Sequence, residues 1–307
     1  MRNNQQAFTL IEVILVIILI GILSGIVFVV LRGPMTQYVQ MEQRTAIVDI
    51  AETALLRMTR EIRLALPNSV RVSGSTSLEF LRTSDGGRYR ENPGGAAAVC
   101  PGGNPAAQDV LRFSSTTDCF EVFGGLFTVP AFNAAANQAT CRAAGNTSDC
   151  VVIYNTGQPA DCTTAADPCA NAYCGCNMAG ITDATASYID FDISGSPLGS
   201  PPASFPFRSP QQRFQIIDMP VSFVCAGSEI TRYADYDISA SQPVSSGDFG
   251  TALENNLLVN QVSSCSFNYA AGSATRAGLV TISLTIRDDE LNQEVTLLQQ
   301  AHVDNLP

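Results

Sequence analysis

From Val13 to Leu31 the chain carries a run of apolar and small residues without a single charge, and directly before it stands Glu12. A stretch of about 20 such residues spans a bilayer as a helix, whereas a carboxylate inside it costs roughly 2.5–3.5 kcal/mol on insertion scales. The segment therefore predicts a membrane-length helix, and Glu12 requires a counter-charge. A cut between Ala7 and Phe8 supplies one. Phe8 then becomes a new amino terminus, and Glu12 lies about 6 Å further along the helix. The amine of a neighbouring, axially shifted copy can pair with Glu12, which neutralises both charges in lipid and sets the stagger between helices. The helix macrodipole adds a smaller favourable effect for an acid in the first turns. A secretory signal is the competing reading, but its apolar core is about 7–15 residues and ends at a small-residue cleavage site. This run is longer and ends in Leu31-Arg32-Gly33-Pro34.

Gly33-Pro34 predicts a kink, since proline removes a backbone donor and crowds the preceding turn. Beyond it Ile47, Ile50, Ala51, Ala54, Leu55, Met58, Ile62 and Leu66 recur every three or four positions, with most charges elsewhere, which predicts an amphipathic helix. Pro67 ends it. The whole helix, 8–66, would be about 90 Å long at 1.5 Å per residue, with residues 8–31 as its transmembrane half. The remainder, 67–307, is about 240 residues and large enough for a full core. Its apolar alternation predicts strands at 77–82, 110–114, 151–155, 188–193, 213–217, 221–226, 265–269, 279–286 and 294–303, the last ones forming an antiparallel meander. The fold class expected is α+β: a long amino-terminal helix packed on a β-rich, disulfide-stapled carboxyl-terminal domain.

Between about 83 and 186 the composition turns to Gly, Ala, Pro, Asn and Cys, as expected of a loop-rich insertion. Eight of the ten cysteines lie there: Cys100, Cys119, Cys141, Cys150, Cys162, Cys169, Cys174 and Cys176. An even number beyond a membrane-spanning helix favours disulfides. Cys174 and Cys176 are too close to pair with each other, so each takes a different partner from among Cys162, Cys169, Cys141 and Cys150. Cys225 and Cys265 lie on expected strands; a bridge between them closes a loop of about 40 residues, worth roughly 4 kcal/mol in the chain-entropy model. Zinc on Cys162, Cys169, Cys174 and Cys176 is the alternative, but the segment has no C-x-x-C pair and thiolates compete poorly with oxidation outside the cytoplasm. Asp235-Tyr236-Asp237 opens like a calcium loop yet lacks its Gly and terminal Glu, and reads as a polar turn.

Catalysis finds little support. The one histidine, His302, lies in the last expected strand, and there is no nucleophile elbow, phosphate-binding Gly loop or paired-His metal motif. The net charge of −11 makes a poor nucleic-acid binder.

Ala7-Phe8-Thr9-Leu10-Ile11-Glu12 and the apolar run after it resemble the amino terminus of type IV pilins and pseudopilins. There a prepilin peptidase removes a short leader, here 1–7, and methylates the new terminal Phe. Ala7 stands where the family usually carries Gly, and it is small enough for cleavage. Further blocks resemble the MshO-type minor pilins of mannose-sensitive haemagglutinin (MSHA) pili: Phe205-Pro206-Phe207-Arg208-Ser209-Pro210, Val221-Ser222-Phe223-Val224-Cys225, Cys265-Ser266-Phe267 and His302-Val303-Asp304-Asn305-Leu306-Pro307. The resemblance implies a non-enzymatic, low-abundance subunit without cofactor or metal. It would sit in the inner membrane by a single pass with a periplasmic domain. It would then join other minor pilins and the major pilin through an inner-membrane assembly platform, priming the fibre and remaining at its tip. A minor pseudopilin of type II secretion, a tip adhesin displaying the Cys-rich loops and an anchored enzyme are the other readings weighed.

Overall fold

The computed structural model of the chain describes residues 9–91, 100, 101, 110–115, 117–126, 134–145, 148–159, 162, 169–195, 204–250, 252–273, 276–288 and 293–306, and of residues 32–37, 39, 40, 117 and 288 the backbone alone. The expected leader, 1–7, and the expected new terminus Phe8 lie outside the described residues.

One helix, α1 (Leu10–Ile62), opens the fold. It runs on through positions 33 and 34, where the sequence suggested a kink, as an unbroken helical assignment. It stops at Ile62 rather than Leu66 because strand pairing captures the following backbone. Against β2 (Ser77–Tyr89), the Leu66 N–H donates to the Leu81 carbonyl at 2.7 Å and the Thr83 N–H donates to the Leu64 carbonyl at 2.7 Å. The Thr83 hydroxyl donates to the same Leu64 carbonyl at 2.7 Å, so the helix end is stitched to the sheet.

β2 belongs to a nine-stranded antiparallel sheet with β1 (Arg71–Ser73), β3 (Thr117–Phe123), β4 (Cys150–Val152), β5 (Met178–Ala184), β6 (Tyr188–Asp192), β7 (Arg213–Ala226), β8 (Glu229–Ala234) and β9 (Glu254–Val259). Because β2 pairs with both β3 and β7, the strands β2, β3, β6, β5, β4 and β7 return on themselves as a closed ring. Aromatic side chains fill it: Phe120 meets Phe214 edge-on at 5.3 Å and Phe191 at 6.1 Å. The Cys- and Gly-rich segment expected to be a loop-rich insertion thus supplies β3 and β5, besides β4 where a strand was expected at 151–155. The strand expected at 110–114 is instead a bend and a turn, from which Leu111 plugs the ring's core and Phe113 packs against its edge. The two strands expected at 213–217 and 221–226 are one. Pro220 falls between the part of β7 paired with β4 and the part paired with β8, where a missing N–H interrupts no ladder.

The expected meander is a separate three-stranded sheet of β10 (Val262–Ala270), β11 (Gly278–Asp288) and β12 (Gln293–Val303). Alternation puts Val280, Ile282, Leu284 and Ile286 on its buried face. The apolar stripe of α1, from Ile47 to Ile62, joins the same core. The architecture is therefore α+β, a long helix laid on a β-rich domain.

Five disulfides fix this domain: Cys100–Cys119, Cys141–Cys150, Cys162–Cys174, Cys169–Cys176 and Cys225–Cys265. The sulfurs of Cys169, Cys174 and Cys176 lie within 4.8 Å of one another, but each is held in a disulfide, which leaves no thiolate for a metal. A short helix, α2 (Gln138–Arg142), carries Arg142 into the interior. There its guanidinium donates to the carbonyls of Ala172, Tyr173 and Ile238, each at 2.8 Å. Burial, with Arg71 adding repulsion, pushes Arg142 down to about 10. Asp237 and Asp235 accept from the N–H groups of Ala144 at 2.6 Å and Gly145 at 3.2 Å, so this turn anchors the loop of the Cys141–Cys150 bridge.

Candidate assembly helix

Thr9 sits at the N-cap of α1 in extended conformation, and its carbonyl accepts from the N–H groups of Glu12 at 3.1 Å and Val13 at 3.3 Å. Thr9 and Glu12 have the spacing of a capping box, but the Thr9 side chain makes no cap bond. The Glu12 side chain is exposed and has no hydrogen bond or ion pair among the described residues. Its charge is therefore available to a group outside this chain.

Leu10–Leu31 is the one segment among the described residues long and apolar enough to cross a membrane, and none of it is buried. Its 22 residues span about 33 Å at 1.5 Å per residue, close to the roughly 30 Å of a bilayer's hydrocarbon. Phe28, Val29, Val30 and Leu31 are each more than 55% exposed, and at about 100° per residue these four successive residues face every side of the helix. A helix apolar all round belongs in lipid or among other helices.

The carboxyl-terminal half of α1 is held by packing and by one ion-pair network. Ala51, Met58 and Ile62 are fully buried. Arg232, on β8, reaches across to Glu61 at 2.6 Å and also pairs with Glu254, while its own side chain is only 4% exposed. Arg57 reaches the other oxygen of Glu61 at 3.5 Å. Nothing in the spacing of the sequence marks Arg232, because its partner is far away in the chain.

The domain beneath the helix exit is braced by a second buried cluster. Arg71 pairs with Glu79 at 2.6 Å, and its guanidinium lies 3.6 Å from the ring centre of Tyr173. Tyr236 donates to Glu79 at 3.2 Å and meets the Ser222 hydroxyl at 2.7 Å. Burial pushes the Glu79 carboxyl up, against the opposing pull of Arg71 and Tyr236. His302 lies exposed on β12, away from this cluster.

The family model described as the prokaryotic N-terminal methylation motif matches residues 2–28. The chain carries a prepilin-type amino terminus. The motif implies processing by a prepilin peptidase and assembly with other pilins, and it supports a pilin- or pseudopilin-type structural subunit. Comparison with curated proteins and with solved structures found no match. The motif covers the whole exposed part of α1 up to Phe28, Glu12 included, and the domain that follows has the α+β arrangement of a pilin-like subunit.

Proposed function

We propose that the chain is a minor pilin of a type IV, MSHA-like pilus, a non-enzymatic subunit that helps initiate fibre assembly and stays at or near the tip. Cleavage between Ala7 and Phe8 would free the amine that Glu12 is placed to meet. The observation that carries this reading is the continuity of the methylation motif with a helix that is bare over Leu10–Leu31 and docked over its last turns. A membrane anchor needs only the first of these; a subunit that leaves the membrane for a fibre needs a rigid connection from the apolar segment to its domain. The Arg232–Glu61 pair and the Thr83–Leu64 stitch provide it.

The test is deletion of the chain in its own cells followed by complementation. Fibres sheared from wild-type cells should contain it in low amounts beside the major pilin, and deletion should lower the number of fibres. Complementation with Glu12→Ala should leave fibre number low although the protein accumulates in membranes. Normal fibres in the deletion strain, with the chain absent from the wild-type fibres, would contradict the proposal.

A further inference from the structure

Four sulfurs that take no part in the assembly helix lie together ahead of β5. The side chains of Cys169, Cys174 and Cys176 are buried, Cys162 is half-buried against them, and the four form a cluster of their own. The sulfurs of Cys169, Cys174 and Cys176 fall within 4.8 Å of one another although they belong to two different bridges, and the Cys162–Cys174 bridge holds the fourth sulfur beside them. Gly175, at φ 77°, lies in the left-handed region that glycine adopts without strain, and it turns the chain between Cys174 and Cys176. A C-x-x-C pair is one way of bringing two sulfurs to one point; here this turn does so. Stapling a loop-rich segment accounts for two bridges, but not for the buried cation beside them. Arg142 is only 7% exposed, and its guanidinium donates to the carbonyls of Ala172 and Tyr173, the second belonging to the peptide group that leads into Cys174. It has no carboxylate partner among the described residues.

We propose that the reduced form of the domain holds one zinc ion on Cys162, Cys169, Cys174 and Cys176. Cysteines enter a chain as thiols, so this form precedes the bridged one. In a tetrahedral site with zinc–sulfur distances of about 2.3 Å the sulfurs stand about 3.8 Å apart, so the cluster needs only a small adjustment to close on an ion. Four thiols give up four protons to form a zinc tetrathiolate of charge −2, and the guanidinium of Arg142 offsets part of that charge in the buried site. Bridge formation then consumes the site. Two molecules of an oxidising disulfide take four electrons from the four thiolates and, with four protons from water, become four thiols; Cys162–Cys174 and Cys169–Cys176 form and the zinc ion leaves. While it is bound, the ion keeps these four sulfurs from pairing with the other six cysteines. The metal site belongs to the folding of the domain and does not depend on its role in a fibre.

The test uses the full-length chain in detergent, reduced by a phosphine without oxygen, freed of metal and titrated with zinc chloride alone. The expected result is one zinc ion per chain. Alkylation followed by peptide mass spectrometry should then find Cys162, Cys169, Cys174 and Cys176 protected and the other six cysteines labelled. On addition of oxidised glutathione the ion should leave as the 162–174 and 169–176 links appear. Cys169→Ser and Arg142→Gln should each lower the zinc affinity about tenfold or more, whereas Arg142→Lys, which keeps the charge, and Cys225→Ser, which removes a sulfur from another bridge, should leave it within about twofold. A reduced chain that takes up no zinc, or zinc that protects a different set of cysteines, would overturn the proposal. So would a Cys169→Ser affinity equal to that of the wild type, or equal affinities in Arg142→Gln and Arg142→Lys.

Discussion

The two halves of α1 are one helix with opposite surroundings. Over Leu10–Leu31 no side chain is buried, while in the last turns Ala51, Met58 and Ile62 are wholly covered by the domain. The second half is apolar on one stripe because it meets one neighbour; the first is apolar all round because it needs cover on every side. The comparison teaches that the domain stabilises only the half it touches. The other half, with Glu12 exposed on it, is built for lipid first and for other subunits afterwards.

The comparison breaks most completely at Glu12. Glu12→Ala is expected to lower fibre incorporation about tenfold or more while leaving the thermal unfolding of the domain unchanged, because no ion pair ties the acid to the described part of the domain. Equal incorporation, measured by quantitative mass spectrometry of sheared fibres, would remove the reason for an acid in this segment. On the docked half, Arg232→Ala strands Glu61, whose side chain is 12% exposed, without its buried partner. The loss should be about 4 kcal/mol in denaturant unfolding of the detergent-solubilised chain. A loss below about 1 kcal/mol would place this pair with ordinary surface bridges. Met58→Ala and Ile18→Ala sharpen the contrast with matched truncations. The first should cost about 3 kcal/mol at a fully buried site, and the second nothing measurable in domain stability.

The smallest effect concerns pH. Burial raises the Glu79 carboxyl above its ordinary value of 4.5, so the folded domain favours the protonated form. That contribution to stability is fully present below pH 4.5 and is lost as pH rises through the higher folded value. Glu79→Gln should flatten this part of the stability–pH curve. An identical slope in the variant would show that the slope comes from other groups.

Much of the helix and the second sheet was legible in the sequence, because both rest on local periodicity: three-to-four spacing in 47–62 and strict alternation in 279–286. The closed ring was harder to see for identifiable reasons. β5 contains Gly180, which reads as a breaker, yet it is glycine because a side chain there would meet the Asn137 carbonyl at 2.4 Å, where the N-cap of α2 crosses. β8, beside the ring, carries Arg232 in its middle, and a buried arginine is tolerable in a strand there because Glu61 on the helix and Glu254 on β9 pair with it. β7 is interrupted by Pro220, harmless only because its neighbours change at that point. In the site itself, Glu12 stood out in the sequence as an acid beside an apolar run. Arg232, Arg71 and Arg142 gave no such signal: Arg232 and Arg142 are defined by partners far away in the chain, and Arg71 by Tyr173 as well as by the nearer Glu79.

The account stands on the chain being cut before Phe8 and built into a fibre through the helix that follows. Peptide mass spectrometry of the amino terminus of the native protein tests this most directly. The expected result is a terminal peptide that begins at Phe8 and carries an added methyl group. A terminal peptide that begins at Met1 in the mature protein would contradict it and make the exposed half of α1 a permanent membrane anchor.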